Sequence, residues 1–397
     1  MNKIKFHGKD YKMGQSWRIG EKEFQYVREL LEGGFPGSSA NNFIGRLEQA
    51  FADKFDSDYA VSFVNGTATL HAALFAVGVR PGDEVIVPPL TMSSTTFAVL
   101  QAGAVPVYAD IEPDTFVMSV DAAARCITPR TRAIMPVSLY GLAPDFDGLR
   151  QLANEHHLAI IEDDAQCFLG YYKGKKVGTL GDMSSFSFQN SKHITCGEGG
   201  MLISNNPEYA QAARRFSSLG YGLVSAKPGA SKIEKSELYN PKFERHVLVG
   251  YNYRLGDLPA AVALAQLEKL ETFVEWRQKC AEAYADVISG IEWLKPQRTP
   301  EGYINSYWAY TVLLDNPKIT WEDFFRRFCD NGGDGFYGAW RLSYDEPCLR
   351  NMIPAEHKQC PNADAIQPRL MQFKTNYGDE DSLFRQAEAL KKTVQSY

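Results

Sequence analysis

Residues 58–109 read DYAVSFVNGTATLHAALFAVGVRPGDEVIVPPLTMSSTTFAVLQAGAVPVYA, and their order decides the fold class. Asp58–Val64 is rich in aromatic and β-branched residues, so it predicts a strand. Thr67–Val77 is rich in Ala and Leu and stops at Gly78, which predicts a helix with a glycine end. Glu84–Val87 predicts a second strand, bounded by Pro81-Gly82-Asp83 and by Pro88-Pro89. Ser93–Gln101 predicts a helix ending at Gly103, and Val105–Ala109 a third strand. The rhythm continues outward. Ala133–Val137 and Leu158–Glu162 predict strands either side of a helix at Asp145–His156, and Ser185–Phe188 and Met201–Ser204 predict short strands. Ahead of it stand a helix, a Gly-rich break at Gly33–Gly37 and a second helix around Ile44–Phe55. Strands alternating with helices predict an α/β fold with a mostly parallel sheet between helices. Such sheets bind ligands at the carboxyl ends of their strands.

Residues 221–246 interrupt the rhythm with a long polar excursion that carries Lys227, Lys232, Lys235 and Arg245 among Glu234, Glu237 and Glu244. It reads either as a contact for an acidic ligand or as a solvated mixed-charge loop. Ala260, Leu264, Leu267, Leu270 and Val274 recur at helical spacing, which predicts one helix from Leu258 to about Ile288. A strand at Trp308–Leu314, a helix at Trp321–Asn331 and a last helix near the C-terminus follow. We read residues 15–266 as a large domain and 267–397 as a smaller C-terminal α/β domain, with residues 1–14 packing on it. Phe336, Tyr337, Trp340 and Tyr344 form an aromatic cluster that is either core or part of a binding wall.

A chain of 397 residues exceeds one small core. Its 44% hydrophobic content excludes global disorder. A net charge of −6 argues against nucleic acid as a general partner, because that affinity rests on basic side chains. The seven cysteines are odd in number and show no C-x-x-C pair, which speaks against a zinc site and for a reducing compartment. Met1–Trp17 has no apolar signal segment, and no run of eighteen apolar residues occurs. The expectation is a cytoplasmic protein with no metal and no membrane span.

Three features carry chemistry. Asn65-Gly66-Thr67-Ala68 joins a strand to a helix. A helix start exposes N–H groups and attracts anions, although Thr there is also an ordinary cap. Glu162-Asp163-Asp164-Ala165-Gln166 closes an aliphatic strand, where an acid meets a protonated ring nitrogen or a metal, or simply solvent. Ser187-Phe188-Gln189-Asn190-Ser191-Lys192-His193 runs into Gly197-Glu198-Gly199-Gly200. A desolvated lysine condenses with an aldehyde, whereas most single lysines are solvated surface residues. His193 reads as a general base or as a packing residue. Together the three supply what pyridoxal phosphate requires: a phosphate cradle, an anion for the ring nitrogen and a lysine for the aldehyde.

In this order the motifs resemble the DegT/DnrJ/EryC1/StrS sugar aminotransferases, of the fold type I class. They include Gly66-Thr67-Ala68, Pro81 through Pro88, Glu162-Asp163 through Gln166, Ser185-Phe186-Ser187-Phe188 leading to Lys192, Gly197-Glu198-Gly199-Gly200 and Tyr251-Asn252-Tyr253-Arg254. The resemblance implies that Lys192 holds pyridoxal 5′-phosphate covalently and that Asp163 pairs with its ring nitrogen. It implies Gln166 beside the 3-hydroxyl, and Gly66, Thr67, Ala68 and Ser187 at the phosphate. Asn252 matches an asparagine that reaches the phosphate of a neighbouring subunit, which implies a homodimer with shared sites. The aromatic residue that the family stacks on the cofactor ring is absent; Met92 stands in its segment. Gln189 and Leu255-Gly256-Asp257 also depart from the common pattern.

The implied activity moves an amino group from L-glutamate to a keto-sugar, nucleotide-linked or related, in amino-sugar and polysaccharide biosynthesis. Two rivals stand beside it: a sugar dehydratase of the same family, which carries His in place of the lysine, and a non-catalytic regulatory relative. No strand here is followed by G-x-G-x-x-G, which argues against a dinucleotide oxidoreductase.

Overall fold

The computed structural model describes residues 3–6, 9–12, 18–35, 42–230 and 239–397. The end of the Gly33–Gly37 break and the centre of the polar excursion, with Lys232, Glu234, Lys235 and Glu237, lie outside the described residues, as does most of residues 1–17. Lys3–Phe6 and Lys9–Lys12 pair as antiparallel strands.

A seven-stranded sheet runs, edge to edge, through Tyr59–Phe63, Gly200–Ser204, Met183–Ser187, Ala159–Asp163, Thr131–Ile134, Glu84–Val87 and Val105–Tyr108. Gly200–Ser204 is antiparallel to both neighbours, and the remaining pairings are parallel. Alternate side chains serve opposite faces. Val85 and Val87 pack with Leu70, Leu74, Ala98 and Val99 of the helices Gly66–Ala76 and Ser94–Gln101. Ile86, Ile134 and Ile160 pack on the other face with Phe146, Leu149 and Leu152. That sandwich of the sheet between helices is why its strands read as continuous apolar runs. At one edge, Phe51, Phe55, Phe168, Phe186 and Phe188 form an aromatic core beneath the helices Phe43–Lys54 and Asp257–Leu267.

The C-terminal half holds an antiparallel sheet in the order Leu294–Pro296, Ala309–Leu314, Leu370–Lys374, Tyr337–Gly338. The helices Leu270–Ile288 and Glu380–Gln395 cover it, and Tyr284, Tyr310, Phe328, Phe336 and Phe373 fill the space between. Phe336 is therefore core, and Tyr344 is buried in the cluster of the seven-stranded sheet instead. Leu370–Lys374 went unread in the sequence because its five residues, LMQFK, include no β-branched residue.

The single helix expected from Leu258 to Ile288 is two: Asp257–Leu267 and Leu270–Ile288. Lys269, with φ −112° and ψ 7°, breaks the run. Its Nζ pairs with Glu23 and donates to the Arg18 carbonyl at 3.0 Å. Leu264, Leu267, Leu270 and Val274 share one cluster, so the apolar spacing reads through the bend.

Candidate active site

The strands Ala159–Asp163 and Met183–Ser187 end beside each other, and the helix Gly66–Ala76 starts just in front of them. A cavity of about 560 Å³ opens at this rim. Gly66, Thr67, Met92, Asp163, Gln166, Ser187 and Lys192 all line it, from four separate stretches of chain. A second cavity of about 580 Å³ includes Ser57, Asp182 and Glu208, at the opposite ends of the strands, and among the described residues no cationic side chain lines it.

The helix start is built to meet an anion. Ala68 N–H donates to Asn65 Oδ1 at 2.9 Å, and Thr69 N–H to the Asn65 carbonyl at 3.3 Å. The N–H groups of Gly66 and Thr67, in the first turn, have no helical carbonyl behind them. The Thr69 hydroxyl ties this turn to Ser185 Oγ at 2.5 Å. A Cβ on residue 66 would lie 2.9 Å from Ser187 Cβ, so the close approach of helix to strand requires glycine.

Asp163 is buried, and its carboxylate accepts from Thr95 Oγ1 at 2.8 Å and from Ala165 N–H at 3.3 Å. Lys192 is also buried, with its Nζ 5.2 Å from the centroid of the Trp308 ring. The two do not pair with each other, and both shift toward neutrality. Burial holds the Asp163 carboxyl above its usual range, against the pull of Thr95, Ala165 and Lys192. Burial brings the Lys192 amine down to about 8, helped by Arg277 and opposed by Asp163 and Glu198. Desolvation thus outweighs their mutual attraction.

Gln166 Oε1 accepts from Tyr140 N–H at 2.9 Å, so its Nε2 remains as a donor. Met92 is half-exposed on the cavity lining. Asn252 is exposed, does not line the cavity, and bridges to Ser218 through its backbone. His193 is buried in the core instead, with Nε2 3.0 Å from the Ser306 carbonyl and its ring tilted on Phe168. Burial pushes its pKa well below the ordinary value, which fits the packing reading.

Thr95, Tyr140, Trp308 and Arg277 escaped the sequence reading. Trp308 and Trp340 line the cavity with ring centroids 5.6 Å apart, and Tyr140 stacks on both. Tyr140 meets these rings from more than 150 positions away in the chain, and no local pattern marks the contact.

An anion cradle, a buried carboxylate without a cationic partner among the described residues, and a buried lysine of lowered pKa fit pyridoxal phosphate. The fold and site define a pyridoxal-phosphate-dependent aminotransferase of the fold type I class. The chain belongs to the DegT/DnrJ/EryC1/StrS aminotransferase family, whose profile matches residues 18–378. It is 36% identical over 309 residues to a GDP-perosamine synthase of Vibrio cholerae, covering 78% of this chain and 79% of the relative. It is 37% identical over 308 residues to a GDP-perosamine synthase of Caulobacter vibrioides, covering 77% and 78%. An aminotransferase structure from Psychrobacter cryohalolentis matches with a TM-score of 0.86 at 25% identity, covering 95% of this chain and 98% of that one. Among the described residues, no helix is long and apolar enough to cross a membrane.

Proposed function

We propose that the protein moves an amino group from L-glutamate to a nucleotide-linked keto-sugar, with Lys192 as the proton carrier. The observation that carries this reading is the unpaired placement of Lys192 and Asp163 on one cavity. When bound, pyridoxal phosphate supplies an electron sink for the pair left at the donor's α-carbon. Gly66 and Thr67 N–H, with the Thr67 and Ser187 hydroxyls, would hold its phosphate. Gln166 would meet its 3-oxygen, Met92 would pack by the ring as a thioether can, and Asp163 would keep the ring nitrogen protonated. Lys192 would hold the aldehyde, and its freed amine would carry the proton taken from the donor's α-carbon.

The named activity of the relatives supports a sugar carried on GDP as the first acceptor to test. Trp308 and Trp340 offer an apolar face for the sugar ring. Among the described lining residues Lys192 is the one cation, so the substrate's negative charges call for groups from elsewhere. A second subunit that brings Asn252 to the phosphate makes the working unit a homodimer, each chain divided into residues 15–266 and 267–397.

Incubation with pyridoxal phosphate, L-glutamate and GDP-linked keto-sugars should give 2-oxoglutarate and an amino sugar in equal amounts. The Lys192→Ala variant should give neither. A sugar that loses a hydroxyl and gains no nitrogen would place the protein with the dehydratases instead.

A further inference from the structure

The Lys192 loop is held by arginine. Arg277, on the helix Leu270–Ile288, is buried. Its Nη1 donates to the Trp308 carbonyl at 2.8 Å and to Thr375 Oγ1 at 2.9 Å. Its Nη2 donates to the carbonyls of Ser191 at 3.3 Å and Lys192 at 3.2 Å. Arg18 adds bonds to the carbonyls of Asn190, Lys192 and His193 at 2.9, 2.7 and 3.0 Å. Trp308 closes the circuit, because its Nε1 donates to the Ser191 carbonyl at 2.9 Å while its ring faces the Lys192 amine. One guanidinium thus holds the main chain under the lysine and the main chain under the ring opposite it. The rigid fork of arginine suits that task, and lysine cannot reproduce it.

We propose that Arg277 is a positioning residue for the lysine chemistry: it locks Lys192 and Trp308 in one geometry and sets a positive charge behind the amine. The inference rests on Lys192 being the reactive amine. Trp308 and Thr375 adjoin the strands Ala309–Leu314 and Leu370–Lys374, so the fork also ties the placement of the C-terminal sheet to that of the lysine. The charged groups that face Lys192 are Asp163 and Glu198, which favour the ammonium form, and Arg277, which disfavours it; burial disfavours it most. Arg277 itself is brought down to about 9 by burial, and Arg18 pushes the same way. Without the Arg277 charge, Asp163 and Glu198 act on Lys192 with less opposition, and the amine holds its proton to higher pH.

The test is the rate at which full-length apoenzyme takes up pyridoxal phosphate, followed by absorbance across pH. This uptake profile needs neither glutamate nor sugar, so it stands apart from the acceptor reading, and kcat is then read with both substrates. Arg277→Gln should move the midpoint of that profile upward. Arg277→Lys should leave the midpoint in place but lower kcat about 10–100-fold, with KM for glutamate little changed. A shared midpoint for Arg277→Gln and the parent protein would overturn the proposal. So would an Arg277→Lys variant with full kcat. If circular dichroism shows that Arg277→Gln does not fold, Thr375→Val removes one anchor of the fork and keeps the charge. It should lower kcat several-fold with an unchanged midpoint, and an unchanged kcat would count against the lock.

Discussion

Asp163 takes its side-chain hydrogen bond from Thr95, at 2.8 Å, and none from Lys192, although both charged residues line one cavity. A buried Asp–Lys pair in contact would satisfy itself and leave nothing for a ligand. Here Thr95 fixes the carboxylate at one wall, and the loop Gln189–Thr195 carries the amine at another. Each group stays short of a partner, and burial makes that shortage costly. The arrangement is one that a bound ring with a cationic nitrogen and an aldehyde relieves at both ends.

Asp163→Asn keeps the shape and removes the charge that, in the proposed mechanism, holds the ring nitrogen protonated. Loss of one preorganised electrostatic partner typically costs about 10²–10³-fold in kcat. We expect a fall of that size, with retained but altered cofactor absorbance. Thr95→Val removes only the orienting donor, so its kcat should fall about tenfold, as for a lost hydrogen bond to a charged group. Steady-state kinetics on both variants check this, and full activity in Asp163→Asn would remove the residue from the mechanism.

Gly66→Ala places a methyl group 2.9 Å from Ser187 Cβ, between helix and strand at the anion cradle. Overpacking of this kind costs about 1–3 kcal/mol. The strain acts at the proposed phosphate cradle, so cofactor binding should loosen. We expect retention weakened by about 5- to 150-fold. Dialysis against cofactor-free buffer, followed by absorbance, measures it; unchanged retention would mean that the phosphate lies elsewhere.

Most of the site was legible because its parts are local. Asn65-Gly66-Thr67 is a strand-to-helix junction, Asp163 ends an apolar strand, and Lys192 follows another strand into a glycine cluster; each signal fits within about ten residues. The parallel sheet was legible for the same reason, since its strands are buried on both faces. What stayed hidden depends on distant partners. Trp308 looked like one more strand residue until Lys192, 116 positions away, came under its ring. Thr95 is an ordinary helix residue until Asp163 accepts its hydroxyl. The break at Lys269 is set by Glu23 and the Arg18 carbonyl, while the apolar spacing around it runs on unchanged.

Lys192 should cost the apoenzyme stability near neutral pH. Its amine falls from 10.5 to about 8 on folding. A group whose folded pKa is depressed gives stability that is present above the unfolded value and is lost as pH falls through the folded one. Relative to a neutral isostere, the loss grows between about pH 10.5 and 8 and is complete below. A shift of this size corresponds to about 3 kcal/mol. Lys192→Met apoenzyme should therefore exceed the parent in denaturant unfolding at pH 7 by up to about 3 kcal/mol, and the gap should narrow at pH 9.5. A gap that is constant with pH would show that the amine is not desolvated.

Trp340 should separate the two halves of the reaction. It lines the cavity beside Trp308, and Tyr140 stacks behind both rings at 6.3–6.4 Å. A sugar ring presents C–H groups that pack on an aromatic face, whereas glutamate is small and carries its charge at both ends. Truncation should therefore fall on the acceptor. Aromatic contacts add about 0.5–1.5 kcal/mol beyond area burial, which corresponds to about 2- to 12-fold in binding. Trp340→Ala should raise KM for the keto-sugar by that factor, and Trp340→Phe should recover part of it. The spectral response of the loaded enzyme to L-glutamate alone should stay within about twofold of the parent, because aromatic truncation removes no hydrogen-bonding or charged group. A loss confined to the glutamate response would assign the aromatic pair to the donor and move the sugar to another face of the cavity.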